Sequence, residues 1–489
     1  MGETEQLGQV VVGHRDQALG ERAINAAAAV DQQLARLDQW SRCLGHGRRA
    51  YREDTAALSA PRRALSIVGR ISVDIAPLRE SPPYRALWIG QLVSMVGRQI
   101  TAVAVPYQVY RLTGSTLDVG LLGLVQVVPL VLFSLVGGAI ADAVDRRRLM
   151  LVTTSLLAVC SLLYVAGAVE GHPPLGVLYA VSAVAAGLGA VDQPARSATV
   201  PNLVPRAQLP AAVALMFGLF QVTLIGGPAV GGLIIGRLGL AAAYLVDVGS
   251  FGAALAAVAL IRPQPPGPEE REPPLRAIRS GLAFARRQPV ILAGFAIDLD
   301  AMIFGMPRAL FPALAAGAFH TGPSGLGLLY AAPGVGGAVA AILGTGWVGR
   351  VRHLGRAVIG AVVLWGLAIA AFGLTGSLAL GVALLALAGG ADSVSAVCRS
   401  TMLQTLTPDH LRGRMSATYA MVVMGGPYAG DVEAGAVAAA WGTRVSVVSG
   451  GLLCVLGAGL VAAALPALFR YRADPGVAPD APAAALEGR

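Results

Sequence analysis

The sequence has no lysine and little charge of any kind: of 489 residues, 37 are basic, all arginine, and 28 are acidic, 13% together. A soluble domain carries roughly 25% charged residues, so a water-soluble fold is excluded. The missing lysine reads as a coding bias and carries no functional weight. Cysteine is as scarce: Cys43, Cys160, Cys398 and Cys454 show no CxxC spacing, and three fall in apolar runs, which argues against a disulfide framework and a zinc site. The six histidines, His14, His46, His172, His320, His353 and His410, lie in the tail or in loops, so no metal site is expected in the apolar part. The phosphate-cradling GxxxxGK[ST] motif is absent, which argues against direct ATP drive. No HExxH and no nucleophile with its base is visible, so an enzyme is not expected. The net charge of +9 is spread over short loops, unlike the clustered basic face of a nucleic-acid binder.

What is present is apolar surface. Hydrophobic residues make up 55% of the chain, and the mean hydropathy is +0.65. Twelve apolar segments follow one another at 85–109, 117–141, 148–168, 174–197, 209–236, 240–261, 290–314, 324–348, 357–375, 378–402, 413–437 and 443–468. Each is close to the ~20 residues that cross ~30 Å of hydrocarbon as a helix, and in lipid only a helix satisfies its own backbone in this way. The expected class is therefore an all-α integral membrane protein with twelve transmembrane helices. Arginines crowd alternate loops: Arg146 to Arg148, Arg196 with Arg206, Arg262 to Arg287, Arg350 to Arg356, Arg412 with Arg414, and Arg470 with Arg472. By the positive-inside bias these loops and both termini face the cytoplasm, placing a multi-pass protein in the cell (inner) membrane.

The chain repeats itself. ARSATVPNLVPRAQL, with Arg196, returns about 200 residues later as CRSTMLQTLTPDHL, with Arg399, and each run leads into a Gly-Gly-Pro helix, GGPAVGG from Gly226 and GGPYAGD from Gly425. Parallel repeats of six helices are one plan of secondary transporters. The expected organisation is an amino-terminal cytoplasmic extension at 1–83, a six-helix half at 84–262, a proline- and charge-rich linker at 263–288 that ends in a short amphipathic helix, a second half at 289–469, and a tail at 470–489. The extension reads as a regulatory arm, a poorly ordered tail around one short helix, or an over-long reading of the gene, since no methionine separates Met1 from Met95.

The second segment ends in GGAIADAVDRRRLM, where Gly138, Asp142, Arg146 and Arg147 resemble the hallmark loop of the major facilitator superfamily; Ala143 and Asp145 depart from its usual arginine and glycine. A weaker copy, GTGWVGRVRHLGR, lies in the second half. Stretches from Tyr84 to Arg470, among them AVAVPYQVYRLTGSTLDVGLLGL, RALFPALA, GLLYAAPGVGGAVA and TMLQTLTPDHLRGRM, are similar to the enterobactin exporter and its relatives, the transmembrane secretion effectors. That resemblance implies the major facilitator fold and a cytoplasmic gate. On this chain the gate would draw on Asp142, Asp192, Arg196, Asp392 and Arg399, with Asp392 and Arg399 as counterparts of Asp192 and Arg196. Helix packing is assigned to Gly227, Pro228 and Gly231, which partly match an antiporter motif, and to Gly426, Pro427 and Gly430.

Ionisable groups inside spans cost ~2.5 to 3.5 kcal/mol each on insertion scales and mark function. Arg98 lies mid-way along the first span, and Asp298 and Asp300 mid-way along the seventh. If the halves face each other, Arg98 meets one of these acids across a central cavity, and protonating that acid would couple proton entry to substrate exit; a structural ion pair is the equal alternative. The two acids stand ~200° apart on a helix and cannot both face inward. Asp431 and Glu433 are the second candidates, and Asp247, near an outer end, reads as a capping or snorkelling residue. Arg308 belongs to the pattern of the resembled family. Arg98 and Arg308 suit an anionic substrate. The resulting expectation is a proton-coupled exporter of a siderophore or related metabolite, monomeric and without cofactor or metal. Multidrug or antibiotic efflux is the alternative, and a non-transporting membrane sensor the alternative of another class.

Overall fold

The computed structural model describes residues 74–265, 274–344, 351–408 and 411–472. Outside these lie most of the expected extension, the centre of the linker, the glycine-rich part of the second loop copy, the tail, and Cys43. Every regular element among the described residues is helical.

Local chemistry sets the helix ends. In α1, Pro82–Thr113, the Tyr84 N–H donates to Ser81 Oγ, Pro82 occupies a first-turn position that needs no N–H, and Gly114 takes the left-handed φ of 65° that ends the helix. Ser115 then caps α2, Thr116–Ala143, by accepting from the Asp118 N–H, and Asp118 adds negative charge at the helix start. There follow α3, Arg146–Glu170, and α4, Leu175–Leu203. The next rod, Leu209–Ala259, is interrupted only at Gly239 (φ 86°, ψ 175°), a backbone shape that glycine adopts freely. It provides α5 at 209–238 and α6 at 240–259.

An amphipathic linker helix, Pro274–Arg287, leads into the second half, as the sequence suggests. Its Gly281 lies against the Arg414 carbonyl and the Thr418 side chain. The second half comprises α7, Pro289–Phe304; α8, Pro323–Gly344; α9, Leu354–Leu374; α10, Leu378–Leu406; α11, Arg412–Trp441; and α12, Thr443–Ala464. The seventh segment departs from the single span expected at 290–314. It stops at Gly305-Met306-Pro307, makes a 3₁₀ turn at Arg308–Leu310 and resumes as Phe311–Gly317. Pro307 has no N–H for the helix ladder, and the Gly305 carbonyl instead accepts from Trp365 Nε1 at 2.8 Å. Such a break survives at membrane depth where protein surrounds it.

Among the described residues, nine stretches are long and apolar enough to cross a membrane, one of them containing both α5 and α6; α1 and α11 are not among the nine. Large apolar side chains such as Leu132, Val152, Phe217, Val222, Leu343 and Leu460 are exposed, as a chain surrounded by lipid allows. Within the first half α1 packs on the α5–α6 rod and α2 on α4; within the second, α7 packs on α11 and α12, and α8 on α10.

The halves meet along two seams, α2 with α11 and α5 with α8. Both seams lie toward the far face, the side of the α1–α2 turn and of Gly239, away from the linker. Each is closed by glycines. A Cβ on Gly232 of α5 would stand 2.8 Å from Gly327 Cα of α8, and one on Gly435 of α11 would stand 3.0 Å from Gly120 Cα of α2. Thr116 Oγ1 also donates to the Gly435 carbonyl across the seam at 3.3 Å. Toward the linker face, α4 and α10 form no comparable contact among the described residues.

Candidate transport site

Three clusters of charge lie inside the bundle. In the first half Asp192 and Arg196, one turn apart on α4, form a buried ion pair. Thr153 Oγ1 donates to Asp192 at 2.7 Å, and Arg196 donates to Thr154 Oγ1 at 2.8 Å. The pair is thus bound to α3 within its own half.

The second-half cluster is built differently. Arg399 of α10 donates to Ser395 Oγ at 2.8 Å, one turn earlier on its own helix, but its ion pair, at 2.7 Å, is with Asp298 of α7. In the register of the repeat Arg399 aligns with Arg196, so the residue in the place of Asp192 is Ser395. The expected counterpart Asp392 stands 3.8 Å from Arg399 and keeps about a third of its side chain exposed, whereas Asp298 has 0%. One guanidinium therefore serves two carboxylates. Beside it a narrow apolar cleft runs between α7, α10 and α11, lined by Ile291, Phe295, Arg399, Met402 and Tyr419 among others.

These pairings correct the expected meeting of Arg98 with Asp298 or Asp300. Asp298 is taken by Arg399, and Asp300, on another face of α7, has its carboxylate against Gly457 of α12, with Oδ2 buried and without a hydrogen-bond partner among the described residues. Arg98 makes no hydrogen bond or ion pair among the described residues; Asp192, Asp247 and Arg196 are the charges that act on it. Reading Asp247 as a cap near a helix end is also corrected. It is 2% exposed and accepts from Thr101 at 2.8 Å, Ser161 at 2.6 Å and Ser250 at 3.3 Å. Gly97 makes room for it, since a Cβ there would lie 2.6 Å from its Oδ1.

The third cluster sits at the break in α7. Arg308 donates to Asp431 of α11 at 2.8 Å, and the Ala309 N–H donates to the other carboxylate oxygen at 3.2 Å. The Tyr428 ring lies 5.8 Å from the guanidinium carbon, and Tyr330 Oη donates to the Arg308 carbonyl at 3.2 Å. Glu433, two residues on, has no hydrogen-bond or ion-pair partner among the described residues. The Gly-Gly-Pro helices pack as their sequence suggests. Gly227 and Gly231 of α5 lie against Gln99 and Ile100 of α1, and Gly426 and Gly430 of α11 against Met302 and Ile303 of α7; Pro228 and Pro427 sit inside these helices.

At the α2–α3 loop, Asp142 occupies the last turn of α2, and its side chain lies outside the described part of the structure. Arg146 donates to the Ala198 carbonyl of α4 at 3.0 Å, and Arg147 to the Ala259 carbonyl at 2.9 Å, at the end of α6. Asp145, where the resembled motif has glycine, caps α3 by accepting from the Arg148 N–H and also accepts from the Gln264 N–H. The close helix approach belongs to Gly137, against Ala190 and Val191 of α4; a Cβ on Gly138 would meet nothing within 4 Å.

Two repeated sets of long apolar helices, ion pairs buried within each set, and one helix broken at Gly305 to Pro307 fit a transporter of the major facilitator type. A model of the transmembrane secretion effector family matches residues 72–476, and the chain belongs to that family. It is 29% identical over 416 residues to the enterobactin exporter EntS of Citrobacter koseri, covering 84% of this chain and 98% of that one. Against the EntS of Escherichia coli O139:H28 the identity is 28%, over 82% and 96%. The fold matches a bacterial homologue of the lysosomal transporter Spinster, with TM-score 0.65, 15% identity and coverage of 80% and 98%. It also matches a bacterial homologue of ferroportin, with TM-score 0.58, 15% identity and coverage of 77% and 98%. The chain is a multi-pass membrane transporter for a small molecule, and not an enzyme.

Proposed function

We propose that this transporter is a proton-driven exporter of an anionic small molecule, a siderophore or related secondary metabolite, working from the inner membrane through twelve spans by alternating access. The observation that carries the coupling is Arg399 between Asp298 and Asp392. With two carboxylates on one guanidinium, one of them fully buried and the other a third exposed, the cluster holds one negative charge more than it can pair, and that surplus is costly beside a buried ion pair. Taking up a proton relieves it, and closing the pair again expels the proton. The two halves are unequal here: around Arg196 the first half adds a second cation, Arg98, where the second half adds a second acid. Alternating access is supported by glycine seams that close the far face while α4 and α10 stand apart toward the linker. Export, and the substrate class, are supported by the likeness to enterobactin exporters along nearly the whole chain. The gate role of Asp142 and the loop arginines belongs to the same reading, as do monomeric action and cytoplasmic termini.

The test is transport in proteoliposomes under an imposed pH gradient. Asp298→Asn should abolish gradient-driven accumulation while leaving downhill exchange, and Asp392→Asn should weaken the response to the gradient. Unaltered gradient dependence in both variants, singly and combined, would remove the coupling role.

A further inference from the structure

The Arg308 cluster has a chemistry of its own. Its three-residue turn touches α11 and, across the seam, α2, so Arg308 sits where the halves meet at the closed end of the molecule. A guanidinium presents a planar fork, and a free carboxylate frequently takes two of its N–H groups together. Asp431 does not. It uses only Nη2 of Arg308 and gives its other oxygen to the Ala309 N–H. Arg308 Nε is buried without a partner, while a third of the side chain stays open, at 33% exposure.

Asp431 is held short of a two-toothed contact by its own backbone. Its carbonyl lies 2.6 Å from where a Cβ on Gly120 would stand, and its Cβ lies 3.1 Å from the corresponding point on Gly123. The repeat shows that closure of such a seam needs no charge. The position of Asp431 in GGPYAGD corresponds to Gly232 in GGPAVGG, and there the α5–α8 seam closes glycine on glycine. The carboxylate is therefore present for Arg308 and not for the seam. Tyr428 beside the guanidinium, and Tyr330 packed edge-on against Phe311 with ring centroids 5.0 Å apart, supply aromatic surface around it.

We infer that Arg308 is the anchor for the anionic group of the substrate, and that Asp431 is an internal stand-in that occupies part of its fork when no substrate is bound. The ligand class is an aromatic carboxylate, which bonds through Nε and Nη and stacks on Tyr428. Its arrival displaces Asp431 from Arg308. That frees α11 from the α7 turn at the point where α11 bears on Gly120 and Gly123 of α2, so loading the site loosens one of the two seams that close the far face. The inference rests on the proposal that the cargo is an anion, and it is independent of how protons are coupled.

The experiment is equilibrium binding to the purified full-length protein in detergent, without any gradient, using 2,3-dihydroxybenzoate and benzoate as probes and benzamide as the neutral control. Asp431→Asn should tighten both anions by about tenfold relative to wild type, the equivalent of 1.4 kcal/mol. Arg308→Gln should lose binding, Arg308→Lys should retain weak binding because it keeps charge without the fork, and benzamide should bind none of them. Thermal melting of each variant verifies folding. Asp431→Asn binding the anions no more tightly than wild type, or Arg308→Gln binding them as well, overturns the inference. Equal binding of benzamide overturns the anionic cargo itself, and flux lost with binding intact leaves the inference standing and indicts the coupling cluster.

Discussion

Asp192 is 1% exposed and depends on Arg196 and Thr153 for its partners. Replacing Arg196 by glutamine leaves a buried carboxylate without its cation, which should destabilise the protein by roughly 3–5 kcal/mol. Asp192→Asn combined with Arg196→Gln should recover most of that loss. Thermal melting of the purified variants measures both, and a single variant as stable as wild type would show that the pair is dispensable. The spacing of four made this pair legible in the sequence. The partner of Arg399 was not legible, because in the repeat the acid moves from the same helix to α7, and only packing shows which face of α7 meets α10. Asp247 was misread for a related reason. Its distance along the chain suggested a helix end, whereas its partners Thr101, Ser161 and Ser250 come from three helices and converge only because Gly97 leaves space.

The helices carry their functional marks at breaks and at glycines. Where Gly232 of α5 meets Gly327 of α8 the seam admits no side chain, so Gly232→Val or Gly327→Val should hold the far face apart. Export should fall at least tenfold at normal expression, and a thiol reagent applied from the far side should reach a cysteine introduced at Ile225, which lies against Gly334. Normal transport by either variant would show that the seam does not need to close. The glycine motif of α5 was visible in the sequence. Its division of labour was not: Gly227 and Gly231 serve α1 of the same half, while Gly232 serves α8 of the other. The break in α7 is the clearest difference from the expected spans. Its signal, Gly305 followed two residues later by Pro307, is present in the chain, but twenty apolar residues around it outweigh it in any count of hydropathy.

At the scale of the whole molecule, the all-helical membrane class and the family were legible, because lipid imposes the length of apolar segments, and most helix ends lie within a few residues of the expected segments, α7 excepted. A reporter fused after Arg489 and a second inserted before Asp74 should both be active only on the cytoplasmic side; opposite sides would overturn the orientation drawn from the arginine loops. The relation between the halves was beyond reach of any pattern in the sequence, since the seams pair glycines more than 90 residues apart. Gly239 has a consequence of its own for how such a molecule works. Between the rod that carries Gly232 and the rod that carries Asp247 there is one non-helical residue and no loop. The far-face seam and the buried acid of the first half are therefore carried on the two arms of a single bent rod, so that a tilt of one arm would press the carboxylate against the hydroxyls that hold it.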